Sequence, residues 1–263
     1  MIRALYSAAS GMTAQQLNVD NIAHNLANAN TAGFKMRRAQ FQDLLYQNLV
    51  QPGASAGQQS TIPTGLQLGL GTRASSNEIV FTQGNFAETG NPLDLVIQGR
   101  GFFQIRRASG ELAYTRSGSF HLNRDGNLVT SDGNLLEPQI TIPQDAQSIT
   151  IATDGTVSYA QANQTAAQKA GQIQLANFQN PAGLNSIGAN LYTPTDASGD
   201  PIVGIPGGQE GIGSLLQGYS EQSNVSVVNE FINLIVSQRA YEANSKVVKA
   251  ADEMYQQVNN LTR

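Results

Sequence analysis

The chain has 263 residues, a formal net charge of −4 and only 13% charged residues, with 26 glycines, 9 prolines and no cysteine. That acidic balance, with four lysines, argues against nucleic acid as a partner, because phosphate recognition needs clustered Lys and Arg. The lack of cysteine excludes a disulfide framework, a cysteine-based zinc site and a thiol nucleophile. There is no run of about 18 apolar residues and no basic-then-apolar leader, so the sequence reads as neither membrane-spanning nor preceded by a cleaved signal.

From the amino terminus, Ile2, Leu5, Ala9, Met12, Gln16, Val19, Ala23 and Leu26 step by three and four, the spacing of one face of a helix. Gly33 is its expected stop. A second face carries Asn18, Asn21, Asn25 and Asn28 at the same spacing, and Asp20 is the only charged residue, with His neutral, between Ala4 and Phe34. Asn is a weak helix former, so this helix needs packing to persist.

Phe41, Leu44, Leu45 and Leu49 fit a helix or an extended segment equally well. Residues 51–71, rich in Gly, Pro, Ser and Gln, read as a flexible linker or long loop.

From Leu93 onward the pattern changes to short strands, expected at 93–97, 102–105, 113–115, 119–122, 128–130, 148–152, 156–159 and 172–178, with Asp-Gly pairs at 125–126, 132–133 and 154–155 marking hairpin turns. The middle therefore reads as an antiparallel β domain. Residues 183–219 are again turn-rich.

Residues 224–263 close the chain with its longest stripe: Val225, Val228, Ile232, Val236, Ala240, Ala243, Val247, Ala250, Met254, Val258 and Leu261. Ser226 is the expected N-cap and Glu230 falls where the helix dipole favours an anion. A helix of about 36 residues reaches roughly 54 Å, so it wants a long partner, and the amino-terminal helix is the one available. The expected fold class is α+β, with paired, coiled-coil-like terminal helices around an inserted β domain.

Signatures of catalysis are scarce. His24 and His121 lack the spaced companions of a metal site, and neither a nucleophile elbow nor a phosphate-binding loop is present; Gly99 and Gly101 lack the third glycine of a dinucleotide fingerprint. Asn123, Asp125 and Asn127 alternate as calcium ligands would, but no glutamate follows at the required place and the flanks read as strands. A pair of carboxylates for glycoside hydrolysis cannot be singled out from sequence. A glycan-binding β domain on a helical stalk, using Tyr114, Tyr159 or Tyr192, is a reading of another class, as is a secreted glycosidase.

The segment N-L-A-N-A-N-T-A-G-F-K at 25–35 resembles the amino-terminal signature of the bacterial flagellar rod and hook proteins. In the same order follow G-R-G-F-F at 99–103, Y-T-R-S-G-S-F at 114–120, D-G-N-L-V-T at 125–130, Q-G-Y-S-E-Q-S-N-V at 217–225 and Q-R-A-Y-E-A-N-S-K at 238–246. The motif positions are thus Asn25, Asn28, Thr31, Gly33, Phe34, Gly99, Gly101, Phe102, Phe103, Asn224, Gln238, Arg239, Tyr241 and Asn244. Within the family, the length and the segment 44–71 are most similar to the distal-rod branch, with a proximal-rod paralogue as rival and hook proteins longer in the middle.

The resemblance implies a non-enzymatic subunit without cofactor or metal, exported through the flagellar type III apparatus and polymerised helically beneath a rod cap. It implies a location in the basal body, crossing the periplasm, with proximal rod proteins, hook protein and the peptidoglycan-layer and outer-membrane rings as partners. The implied division is a terminal helical domain (1–34 with 224–263), a connecting domain (35–95 with 205–223, carrying the insertion 46–71) and a β-rich outer domain (96–204). Leu5, Met12, Val19, Leu26, Ile232, Val236, Val247, Met254 and Leu261 are the expected subunit contacts, and Asn18, Asn21, Asn25 and Asn28 the expected lumen wall.

Overall fold

The helical spacing at the two ends of the sequence forms two helices, α1 at Ile2–Ala27 and α2 at Val227–Leu261. The first turn of α2 closes with the Glu230 amide donating to the Ser226 carbonyl at 2.9 Å, which puts Ser226 at the expected cap position. A computed structural model describes residues 2–53, 55–57, 60–61, 64–161, 167–208 and 211–261. The chain divides into two units, one of residues 1–27, 37–79 and 226–263, the other of 28–36 and 80–225. Segment 37–79, read from sequence as part of a connecting domain, groups with the terminal helices.

In the first unit, the described residues of 37–79 form a long antiparallel arm. Strand Arg37–Asp43 pairs with Thr72–Ile79, from Arg37 opposite Ile79 to Asp43 opposite Thr72. Beyond it Tyr46–Val50 pairs with Leu66–Gly69, and Ser55–Gly57 with Ser60–Thr61. The stretch read as a loop is therefore largely the tip of this hairpin. At Gly65 a Cβ would fall 2.6 Å from Pro52 Cδ and 2.7 Å from the Val50 carbonyl, so glycine there permits a close approach of the two segments. The arm leans on α1, where the Thr72 amide donates to Ser10 Oγ at 3.2 Å and Asn77 Nδ2 to Asn21 Oδ1 at 2.9 Å.

The second unit is the β domain. Strands Phe120–Leu122, Leu128–Thr130, Leu135–Glu137, Phe102–Arg106, Leu112–Thr115, Leu191–Thr193 and Asn185–Gly188 lie side by side in that order, and Leu175–Asn177 joins Phe102–Arg106 to Ile202–Gly204. All pair antiparallel. A smaller sheet takes Ala146–Ile151, Thr156–Gln161 and Gln168–Gln172. Between them lies one apolar core including Leu95, Ile97, Phe103, Ile105, Phe120, Leu128, Ile140, Val157, Ile173 and Leu175, whose burial drives this unit to fold. The single strand expected over 172–178 is two strands in different sheets.

The Asp-Gly hairpins use three-residue connections. In each, the residue before the loop donates to the one after it, and the glycine amide donates back: Asn123 with Asn127, Thr130 with Asn134, Ala152 with Thr156. Gly126, Gly133 and Gly155 take φ of 79°, 80° and 81°, the left-handed conformation a three-residue turn requires at its end. Asn123 Oδ1 accepts from the Asp125 and Asn127 amides at 2.9 and 2.8 Å, which engages the oxygen that a calcium reading needed. Among the described residues no group of three His, Asp or Glu could hold a metal.

Candidate assembly surfaces and the buried ion cluster

α1 and α2 pack together within the first unit, through a different face of α2 from the one its apolar stripe suggests. The positions turned inward are Glu230, Ser237 and Ala251, all buried, with Leu234, Asn244, Val248 and Tyr255 half-buried. Asn18 Nδ2 donates to Ser237 Oγ at 2.8 Å, and Asn25 Nδ2 lies 3.4 Å from Glu230 Oε2. This seam is polar and small-residued. The expected stripe points away from α1: Ile232 is 54% exposed, Val236 61%, Val247 45% and Met254 47%. On α1 the corresponding Leu5, Met12, Val19 and Leu26 are half-buried. The side chain of Leu261 lies outside the described residues. A long row of exposed apolar side chains on one helix has the character of an interaction surface.

The arm repeats the pattern. Leu45, Tyr46, Leu49 and Leu66 are exposed along it, so the first unit offers two apolar surfaces. A shallow groove on the helix pair, lined by Gln16, Val19, Gln238, Tyr241 and Glu242, includes two motif positions, while Arg239 makes a solvent-exposed ion pair with Glu242 at 2.9 Å.

The amide stripe is structural at its centre. Asn25 clamps the backbone of Arg37 in both directions, its Nδ2 donating to the carbonyl and its Oδ1 accepting from the amide, each at 2.8 Å. Asn25 is 2% exposed and Asn21 7%. Both are enclosed by the subunit's own helix and arm, so the expectation that they face a lumen does not hold for them. Asn18 and Asn28 are half-buried, and Asn28 Oδ1 accepts from Thr31 Oγ1 at 3.1 Å in the turn after α1.

The motifs that lie far apart in sequence meet at a buried charge cluster in the second unit. Glu221 accepts from Lys35 Nζ at 2.7 Å, from Arg116 Nε at 2.9 Å and from the Gly84 amide at 3.0 Å. The side chains of Lys35 and Glu221 are 0% and 1% exposed and that of Arg116 6%. Two cations against one anion leave a positive excess, and backbone carbonyls compensate for it. Lys35 also donates to Thr82 O at 2.8 Å; Arg116 donates to the carbonyls of Gly101, Gly99 and Ile97 at 2.6, 2.6 and 3.2 Å. Burial pushes the Glu221 carboxyl up, but Arg116, Lys35 and the hydrogen bonds outweigh it and hold it below the ordinary carboxylate range. Burial pulls Lys35 below the ordinary ammonium range against the opposing attraction of Glu221.

The neighbouring motif residues hold this cluster closed. Gly33, with φ 71°, donates its amide to the Glu221 carbonyl at 2.8 Å, and a Cβ there would fall 2.7 Å from the Ser117 amide nitrogen. Asn224 accepts from the Met36 amide at 2.7 Å and donates to Val80 O and Thr82 Oγ1 at 2.8 and 2.9 Å. Gly99 and Gly101 have φ of 110° and 137°, and Phe34, Phe102 and Phe103 are buried. Tyr114 and Tyr192, proposed from sequence as sugar platforms, are buried at 2% and 4%. Tyr159 donates its hydroxyl to Gln168 Oε1 at 2.8 Å.

Comparison with known proteins connects this geometry to a family. Residues 5–35 match the family model described as flagella basal body rod protein, residues 96–159 that of the flagellar hook protein FlgE/F/G D1 domain, and residues 216–261 that of the flagellar basal body rod FlgEFG protein C-terminal. Lys35, Arg116 and Glu221 come one from each matched region. The chain is 51% identical over 261 residues to the flagellar basal-body rod protein FlgG of Caulobacter vibrioides, covering 99% of each chain. It is 40% identical over 267 residues to the protein of the same name from Bacillus subtilis, covering 100% of each. Against the flagellar hook-basal body complex protein FlhP of Bacillus subtilis the identity is 28% over 275 residues, covering 99% of this chain and 100% of that one. With such similarity along its whole length, the chain belongs to the flagellar rod and hook protein family, whose members are structural subunits of the bacterial flagellum.

Proposed function

We propose that this chain is the repeating subunit of the distal rod, a straight helical polymer that carries torque from motor to hook and encloses the export channel. The observation that carries the reading is the row Ile232, Val236, Val247 and Met254, apolar, exposed and turned away from the chain's own α1. A face of one copy that meets a different face of the next adds subunits without closing, giving an open helix. The greater identity to the basal-body rod protein than to the hook-basal body complex protein of the same organism supports the distal-rod branch.

In this reading the terminal helices pack as a coiled coil and form the inner tube with neighbouring copies. The β-rich residues 96–204 form the outer layer, and residues 35–95 with 205–223 connect them. Leu5, Met12, Val19, Leu26, Ile232, Val236, Val247, Met254 and Leu261 are the intersubunit contacts, and Asn28 is the amide directed towards the lumen, Asn18 being engaged by Ser237 of α2. The arm, with its insertion at 46–71, lies between neighbours and stiffens the shaft. The partners are other copies of this chain, the proximal rod proteins, the hook protein, the rod cap and the peptidoglycan-layer and outer-membrane rings. The chain reaches the periplasm through the flagellar export apparatus without a cleaved signal.

The test is electron microscopy of the concentrated full-length chain beside a version lacking residues 1–33 and 224–263. Straight tubes from the intact chain alone are expected. Val247→Asp should abolish them while leaving the β unit folded, and tubes of normal number from that variant would refute the stripe as the contact.

A further inference from the structure

The contacts between α1 and α2 recur at one interval. Asn25 meets Glu230, Asn18 meets Ser237 and Gly11 meets Asn244, so each step of seven along α1 answers a step of seven along α2 in the opposite direction. The rungs differ in chemistry. The first joins an amide to a buried carboxylate at 3.4 Å and the second an amide to a buried hydroxyl at 2.8 Å. In the third an amide lies over a bare glycine, where a Cβ would fall 2.8 Å from Asn244 Nδ2.

Ala8, Ala14, Ile22 and Ala251 are buried and small or apolar, as are the half-buried seam residues Leu234 and Val248. Contacts of that kind repeat every heptad, so on their own they tolerate a slip of one helix past the other by seven residues. The rungs do not tolerate it. Slipped one way, Asn25 meets Ser237, Asn18 meets Asn244, and the Glu230 carboxylate is left buried without its amide. Slipped the other way, Gly11 meets Ser237 and the Asn18–Ser237 hydrogen bond is lost.

We propose that these polar rungs are a register lock: they fix the axial offset of α1 on α2, and through it the offset between the apolar faces that each copy presents to the next. Buried polar groups in a helical seam are known to select one register over others with similar apolar packing. The lock deepens the polymer reading and rests on it for its purpose, but it is a property of the single chain and is tested there.

The chain has no cysteine, so disulfide trapping has no background. Asn18→Cys with Ser237→Cys reports the observed register, and Asn18→Cys with Asn244→Cys the register slipped by a heptad; both pairs remove the Asn18–Ser237 rung, so the preference they read rests on Asn25 with Glu230. In dilute full-length protein under mild oxidation, the first pair should form the intramolecular bond at least tenfold faster than the second. Adding Glu230→Leu, which leaves Asn25 clamped on Arg37, should reduce that preference below threefold with helical content by circular dichroism unchanged. Glu230→Gln keeps an oxygen for Asn25 and should retain the preference. Equal trapping of the two pairs at the outset, or an undiminished preference in helical Glu230→Leu, would overturn the lock. If Glu230→Leu loses its helices, Glu230→Gln decides: loss of preference there, with helices intact, overturns the hydrogen-bonded rung. Native trapping in a chain that forms no tubes would count against the polymer and leave the lock standing.

Discussion

Replacing Glu221 by Gln tests whether the convergence of the motifs is what holds the β unit together. The carboxylate is the anion bridging Lys35 and Arg116, at 2.7 and 2.9 Å, with both cations nearly inaccessible to water. Gln keeps the shape and one acceptor but removes the charge. Removing one partner of a buried ion pair costs about 3–5 kcal/mol, because the charge left behind has lost its water and gained nothing. Here two charges are left. Lys35 can relieve part of the cost by releasing its proton, since burial already favours the neutral amine, whereas Arg116 cannot. The expected loss is therefore about 3–5 kcal/mol, a large part of the ~5–15 kcal/mol that a domain possesses.

At about 2–4 °C per kcal/mol for a domain of this size, the melting temperature should fall by roughly 6–20 °C. Urea unfolding of the full-length chain, followed by tyrosine fluorescence, reads the same quantity with an unchanged m value. Lys35→Met should cost less, because Glu221 keeps Arg116. A loss below about 1 kcal/mol for Glu221→Gln, the worth of an exposed pair, would refute the reasoning.

The same cluster predicts an acid limb. A carboxyl held below its unfolded value contributes stability that is complete above about pH 4.3 and disappears as pH falls through the lower folded value. Thermal melts between pH 7 and 2 should show this limb, and Glu221→Gln should flatten it. Gly33→Ala should destabilise the β unit by about 1–3 kcal/mol from the left-handed backbone alone, and by more from the close approach to Ser117; Gly133→Ala, with open space around it, should lose only the backbone part. Asn224→Ala, which removes acceptor and donors from Met36, Val80 and Thr82, should cost about 1–3 kcal/mol in the same melt. Deleting residues 54–64 should leave monomer stability unchanged and yield tubes with a shorter persistence length by electron microscopy; equally straight tubes would remove the arm from the stiffening role.

The helices and most strands were legible because their signals are local. Stripes at three-four spacing located α1 and α2, and alternation with Asp-Gly punctuation located the hairpins from Phe102 to Tyr159 to within a few residues. The arm was hidden because Pro52, Gly53 and Gly65 dominate its composition, although Leu66, Leu68 and Leu70 alternate as a strand should. The α2 stripe was legible but its partner was not, since periodicity finds an apolar face without saying whose chain covers it. The seam that α1 uses, Glu230, Ser237 and Asn244, has the same period written in polar residues, and a search for apolar repeats passes over it. The ion cluster joins residues 186 and 105 positions apart, a distance at which spacing carries no information. Its one local signal was the scarcity of lysine, which made Lys35 beside Phe34 conspicuous.

Lys35 and Glu221 stand at the two borders of the β unit, one shortly after α1 ends and the other shortly before α2 begins. Closing that contact encircles 186 positions of chain, and such a loop has an entropic cost that grows with the logarithm of its length. A chain delivered end-first, from either end, lacks one border until nearly everything between has emerged. Under the export route proposed above, the unit would latch last, after its local hairpins, and a chain in transit would lack the contact that closes it.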